Sequence, residues 1–141
     1  MTSPPGTCAT MNASRVLIDT SVWVAYFRNT SAQLSERVEA LMAEAEICVP
    51  KIVLAELLQG SKSEREIRTI ENFVDAFTIV DQGAGTWADA GKLAYQLKKK
   101  GKSVNLADCY IAVIACEQGC SLLTLGEHFK DIRKAIAITL L

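Results

Sequence analysis

Val16-Leu17-Ile18-Asp19-Thr20-Ser21 carries three consecutive aliphatic side chains straight into an acid and two hydroxyls. The short apolar run over residues 15–18 reads as a strand. The apolar, aromatic run over 21–28 behind it reads as a helix. Asp19 therefore stands where a strand ends and a helix begins. Open parallel α/β sheets place their ligands at that edge. Asp is also a favoured helix N-cap, and a cap alone would look the same in sequence.

Outward from this junction the pattern repeats. Ser31 opens a helix in which Leu34, Val38, Leu41 and Met42 recur at helical spacing. Ile47-Cys48-Val49 reads as a strand, and Pro50 suits the first turn of a helix that runs to Gly60. Residues 63–76 form a helix with Ile67, Ile70, Phe73 and Val74 on one side, followed by a strand over 77–80. Residues 85–100 form an amphipathic helix stopped by Gly101, and 106–118 a nearly all-apolar, central one. A strand over 121–124, a short helix over 127–131 and a last strand over 135–139 complete the chain. Short strands alternating with helices imply an α/β fold, a parallel sheet wrapped on both faces. Residues 15–141 read as one domain. Residues 1–14, with Pro4, Pro5 and Gly6, read as a flexible extension in which Met11 offers an alternative start.

Composition narrows the function classes. The chain has 141 residues, half of them hydrophobic and 22% charged, with a net charge of -1. That is enough for one globular core. A partner such as RNA would have to be met by a local basic patch or a metal, because the overall charge gives no attraction. The cysteines (Cys8, Cys48, Cys109, Cys116 and Cys120) are odd in number and lack CxxC spacing, and the chain has a single histidine. Free thiols in a cytoplasmic protein are expected, rather than a zinc site or a disulfide framework. No secretion signal or membrane-spanning run is present in the sequence.

Two more acids interrupt apolar segments. Glu56 lies within Ile52-Val53-Leu54-Ala55-Glu56-Leu57-Leu58, sharing a helical face with Ile52 and Val53. The competing reading puts it at the border of the buried stripe, reaching solvent. Asp108 follows Leu106-Ala107 and shares a face with Ile111, Ala112 and Ala115. Its competing reading is a capping arrangement with Asn105. Carboxylates set in apolar surroundings need a partner. Three of them suggest one site for a hard divalent cation such as Mg²⁺ or Mn²⁺.

Four stretches together resemble the PIN-domain family, typified by the VapC toxins. They are Leu17-Ile18-Asp19-Thr20-Ser21-Val22-Trp23, Val53-Leu54-Ala55-Glu56-Leu57-Leu58-Gln59-Gly60, Leu106-Ala107-Asp108-Cys109-Tyr110-Ile111-Ala112 and Leu122-Leu123-Thr124-Leu125-Gly126-Glu127-His128-Phe129. The resemblance runs from about Arg15 to Leu141. It implies a three-layer α/β/α sandwich with a short-stranded, mainly parallel sheet. It implies an Mg²⁺- or Mn²⁺-dependent endoribonuclease toxin that cuts RNA by metal-activated water. It further implies a homodimer and a small VapB-like antitoxin. Asp19, Glu56 and Asp108 match the family's metal-binding acids, Thr20 and Ser21 its hydroxyl-rich turn, and Thr124 its polar residue on the fourth strand. The fourth acid of the family is replaced here by Gly126. Glu127 stands next to it as a substitute ligand, against the alternative that it forms a capping box with Thr124. The departure leaves open a second reading, a catalytically weakened PIN domain that binds RNA or protein.

Among the remaining residues, Lys98, Lys99 and Lys100 are candidate RNA contacts, and Arg28 after the first helix is a candidate contact for RNA or an inhibitor. A solvated helix end and a solvated surface arginine are the competing readings. His128 reads as structural. Trp23, Tyr26 and Phe27 read as core and partner surface rather than a base-stacking platform.

Overall fold

The computed structural model describes residues 12–141. The expectations of a flexible extension and of a start at Met11 otherwise lie outside the described residues. The order of elements is β1 (Asn12–Ile18), α1 (Thr20–Phe27), α2 (Ala32–Glu44), β2 (Glu46–Pro50), α3 (Lys51–Gln59) and α4 (Glu64–Val74). There follow β3 (Thr78–Val80), α5 (Thr86–Lys99), α6 (Leu106–Glu117), β4 (Cys120–Leu123) and α7 (His128–Ala135). β1 starts at Asn12, three residues before the expected strand at Arg15, so the sheet takes in positions that the sequence assigns to the extension.

The four strands run in the order β3-β2-β1-β4, and every neighbouring pair is parallel. Val16, Leu17 and Ile18 are almost fully buried although they alternate faces. Only a sheet covered on both sides buries such a run. One layer of helices, α1 to α4, connects β1 to β2 and β2 to β3, with α1 packed on α2 and α3. The chain then crosses back from β3 to β4, and right-handed crossovers put α5 and α6 on the other face. There they pack on each other and on α7. The sandwich is thus three-layered, as expected. Its strand order reverses at β1, and the crevice at such a switch point is where α/β sheets bind ligands.

α5 and α6 form an antiparallel pair. Thr86 at the start of α5 donates to Glu117 at the end of α6 at 2.8 Å. Gly101, at φ +78°, turns the chain out of α5. Lys102 N–H reaches Leu97 O at 2.9 Å and Gly101 N–H reaches Lys98 O at 3.0 Å, the pairing that closes a helix through a left-handed residue.

Two expectations are corrected. Residues 135–139 do not form a strand. Ile136 N–H bonds Ile132 O to close α7, and the chain joins the sheet only by an isolated parallel bridge between Leu122 and Leu140. Apolar alternation in this segment reports burial against the sheet, without a ladder. Cys48, Cys109 and Cys120 are buried free thiols, as expected, but Cys116 is disulfide-bonded. Cys116 is buried in the last turn of α6, and its apolar surroundings in the sequence gave no sign of a bonded partner. Among the described residues no helix is long and apolar enough to cross a membrane.

Candidate active site

Asp19 ends β1 at the switch point, and its backbone N–H bonds Leu123 O at 2.9 Å, tying β1 to the end of β4. The side chain is 5% exposed. Thr20 N–H donates to Oδ1 at 2.7 Å, while the Ser21 and Thr124 hydroxyls donate to Oδ2 at 2.9 and 2.8 Å. Each hydroxyl in turn accepts a backbone N–H, Ser21 from Leu125 at 3.1 Å and Thr124 from Gly126 at 2.9 Å. Each hydroxyl thus accepts one backbone N–H and donates its own proton to Asp19. An ionised carboxylate, which only accepts, is what this arrangement suits. Asp19 is thus the N-cap of α1, and the same carboxylate also accepts from residues outside that helix.

Glu56 reaches the same edge from α3. Its Oε1 accepts the Thr20 hydroxyl at 2.8 Å. Burial raises its pKa; the Thr20 hydrogen bond opposes this, and the nearby charges of Asp19 and Asp108 raise it further. Asp108 lies in the first turn of α6, whose cap Asn105 accepts the Asp108 N–H at 2.8 Å. Its carboxylate faces His128, with Nδ1 3.0 Å from Oδ2. Burial raises the Asp108 pKa, the His128 hydrogen bond opposes it, and Asp19 adds to the rise. The electrostatic coupling of all three acids marks them as one cluster. Among the described residues His128 is the one basic side chain within hydrogen-bond distance of any of them.

The donor set fits a hard cation: carboxylate oxygens with no lysine or arginine to neutralise them. No three His, Cys, Asp or Glu side chains among the described residues are gathered tightly enough to clasp an ion directly. Mg²⁺ does not ask for that. It keeps several waters and takes one or two carboxylates, which suits an open arrangement.

Raised carboxylate pKa values have a consequence for the metal-free protein. The folded state holds protons that the unfolded chain releases, so the stability from Glu56 and Asp108 is present below the ordinary carboxylate range. It is lost as pH rises through their raised values. Glu56→Gln removes this penalty and keeps an oxygen for Thr20. In metal-free buffer the variant is expected to melt above the parent at neutral pH, with the gap closing as pH falls through the carboxylate range. A parent that melts higher at every pH would contradict the coupling.

Other expected residues fall into two groups. Glu127 is turned away, its side chain 79% exposed and paired with Lys130 at 2.8 Å. The capping box with Thr124 does not form, because α7 starts at His128 and the Thr124 hydroxyl is committed to Asp19. Gly126 has little room for a side chain. A Cβ there would meet Thr124 Oγ1 at 3.3 Å and the Phe129 ring at 3.4 Å. Lys98, Lys99 and Lys100 are exposed at the end of the α5–α6 pair where Asp108 begins α6. Arg28 is exposed on the rim of a groove of about 310 Å³ between α1, α3 and α4, lined by Val24, Phe27, Leu57 and Ile70. The contact of His128 with an acid is what the sequence reading missed. Its signal was modest: the sole histidine, inside the last of the four motifs.

The PIN domain model matches residues 16–135. Ribonuclease VapC11 of Mycobacterium tuberculosis is 31% identical over 124 residues, covering 84% of this chain and 92% of that protein. The tRNA(fMet)-specific endonuclease VapC of Shigella flexneri is 25% identical over 114 residues, 78% of this chain and 85% of that one. Among solved structures, VapBC2 from Rickettsia felis, bound to a DNA fragment from its promoter, superposes with a TM-score of 0.75. The two are 25% identical, over 90% of this chain and 97% of the other.

Proposed function

This chain belongs to the PIN-domain family, and from that membership we propose that it is a divalent-metal-dependent endoribonuclease, the toxin of a toxin–antitoxin pair. The observation that carries the reading is the convergence of Asp19, Glu56 and Asp108, from three separate elements, on the switch point of the sheet.

Asp19, Glu56 and Asp108 would hold Mg²⁺ or Mn²⁺, which supplies charge compensation for a phosphodiester and an acidified water. The protein's own contribution is orientation. Thr20 fixes Glu56, and Ser21 and Thr124 fix Asp19. Preorganised oxygens need no rearrangement as charge develops. Lys98, Lys99 and Lys100 offer exposed cations at the same end of the fold for the RNA backbone.

The partner is a small antitoxin of the VapB kind, as in the complex from Rickettsia felis. The apolar groove bordered by Arg28 is the surface we assign to it. A homodimer and a cytoplasmic setting complete the reading. The crowding at Gly126 favours one alternative, a weakened PIN domain that binds RNA or protein without cutting it, since no acid fits there without a shift of its neighbours.

RNA cleavage by the partner-free chain separates the two. Cleavage is expected in Mg²⁺ or Mn²⁺, none in EDTA, and a loss of about 100-fold or more in Asp108→Asn. A folded chain that cuts none of several RNAs would favour the binding module.

A further inference from the structure

Each of the three acids is tied by a hydrogen bond to an element other than its own. Asp19, at the end of β1, is held by Thr124 after β4. Glu56, on α3, is held by Thr20 of α1. Asp108, on α6, meets His128, the first residue of α7. The first two ties use hydroxyls in positions that the sequence motifs already mark. The third uses an imidazole with no assigned role.

We propose that His128 is a positioning residue, whose Nδ1–H holds the Asp108 carboxylate in place for the cation. The inference rests on the metal-site reading above and adds a residue to it. A carboxylate has no proton to give, so the shared proton sits on Nδ1 and a neutral ring suffices. The helix that carries the ring is anchored in the core. Phe129 is 1% exposed and Ile132 fully buried, and together they fix the first turn of α7 against the core. Glu127, the neighbouring acid, is directed to Lys130 instead. The first turn of α7 thus supplies the cluster with a hydrogen-bond donor where Gly126 has removed an acid. Partners that orient a metal-binding side chain matter nearly as much as the ligand itself.

The bland alternative is a surface pair that merely decorates the start of α7. The two side chains are 48% and 22% exposed, and pairs this open add little stability. The two readings separate in metal affinity. Mn²⁺ binding should be titrated by calorimetry on the whole, partner-free chain, for the parent, Asp108→Asn, His128→Leu and His128→Asn. His128→Leu is expected to weaken Mn²⁺ binding roughly tenfold or more, with its melting temperature unchanged. His128→Asn, whose amide N–H replaces that of Nδ1, should restore most of the affinity. If His128→Leu binds Mn²⁺ as tightly as the parent, or more tightly, while Asp108→Asn binds weakly, the positioning role is overturned and the metal site stands. If Asp108→Asn binds as the parent does, the metal site fails and this inference fails with it.

Discussion

Asp19→Asn is expected to lower RNA cleavage by roughly a thousandfold or more, while the chain stays folded. The size follows from what a ligand for a catalytic cation contributes, several kcal/mol of stabilisation, with each ~1.4 kcal/mol worth a factor of ten. The fold survives because the substitution is close to isosteric and its two effects oppose each other. Oδ1 can keep the Thr20 N–H. The new amide then faces the Ser21 and Thr124 hydroxyls, whose protons lose their acceptor, at a cost of about 1 kcal/mol each. Against this, one of three mutually repelling charges is gone. Melting in metal-free buffer should shift by only a few degrees. Asp19→Ala should be worse for the fold, since two partly buried hydroxyls and the Thr20 N–H lose their acceptor together. Single-turnover cleavage beside thermal melts checks both halves. Full activity in Asp19→Asn would remove Asp19 from the machinery.

How far the candidate site was legible in the sequence depends on whether each residue's proposed role is local. Asp19 and Asp108 were readable because a strand end and a first helical turn announce their own edge of the sheet. Glu56 was readable because an acid amid Ile52, Val53 and Leu57 violates the apolar pattern. The layers followed from alternating strands and helices. Contacts across the fold left no such trace. Thr124 sits 105 positions from Asp19, and 20 positions separate His128 from Asp108. Nothing in the residues around His128 says that the first turn of α7 lies over the start of α6. The same holds at residues 135–139, where a strand-like alternation serves helix termination and then one bridge. Glu127 shows the converse error: proximity in sequence to a missing acid says nothing about direction, and its side chain points at Lys130.

Trp23→Ala should be the most damaging single change to stability, about 3–5 kcal/mol. Trp23 is 1% exposed and lies one helical turn beyond Asp19, to whose carbonyl its N–H donates at 3.2 Å. Its ring meets Tyr26, Phe27, Phe73 and Phe77 at centroid separations of 6.0, 6.1, 5.5 and 5.6 Å. These rings join α1 to α4 and to the approach of β3, so the void would open beneath the turn that carries Asp19, Thr20 and Ser21. For a domain whose total stability is of order 5–15 kcal/mol, such a loss leaves little margin. Burial of the ring agrees with its reading as core: Trp23 cannot stack on a base. One detail sharpens the test. The indole Nε1 is buried without a hydrogen-bond partner, a penalty of about 1–3 kcal/mol. Trp23→Phe gives up part of the ring but also removes that orphan donor, so it should cost clearly less than Trp23→Ala. Urea denaturation of both variants measures the difference. If Phe were as harmful as Ala, the damage would come from losing the indole itself, and the N–H would have to be satisfied in solution.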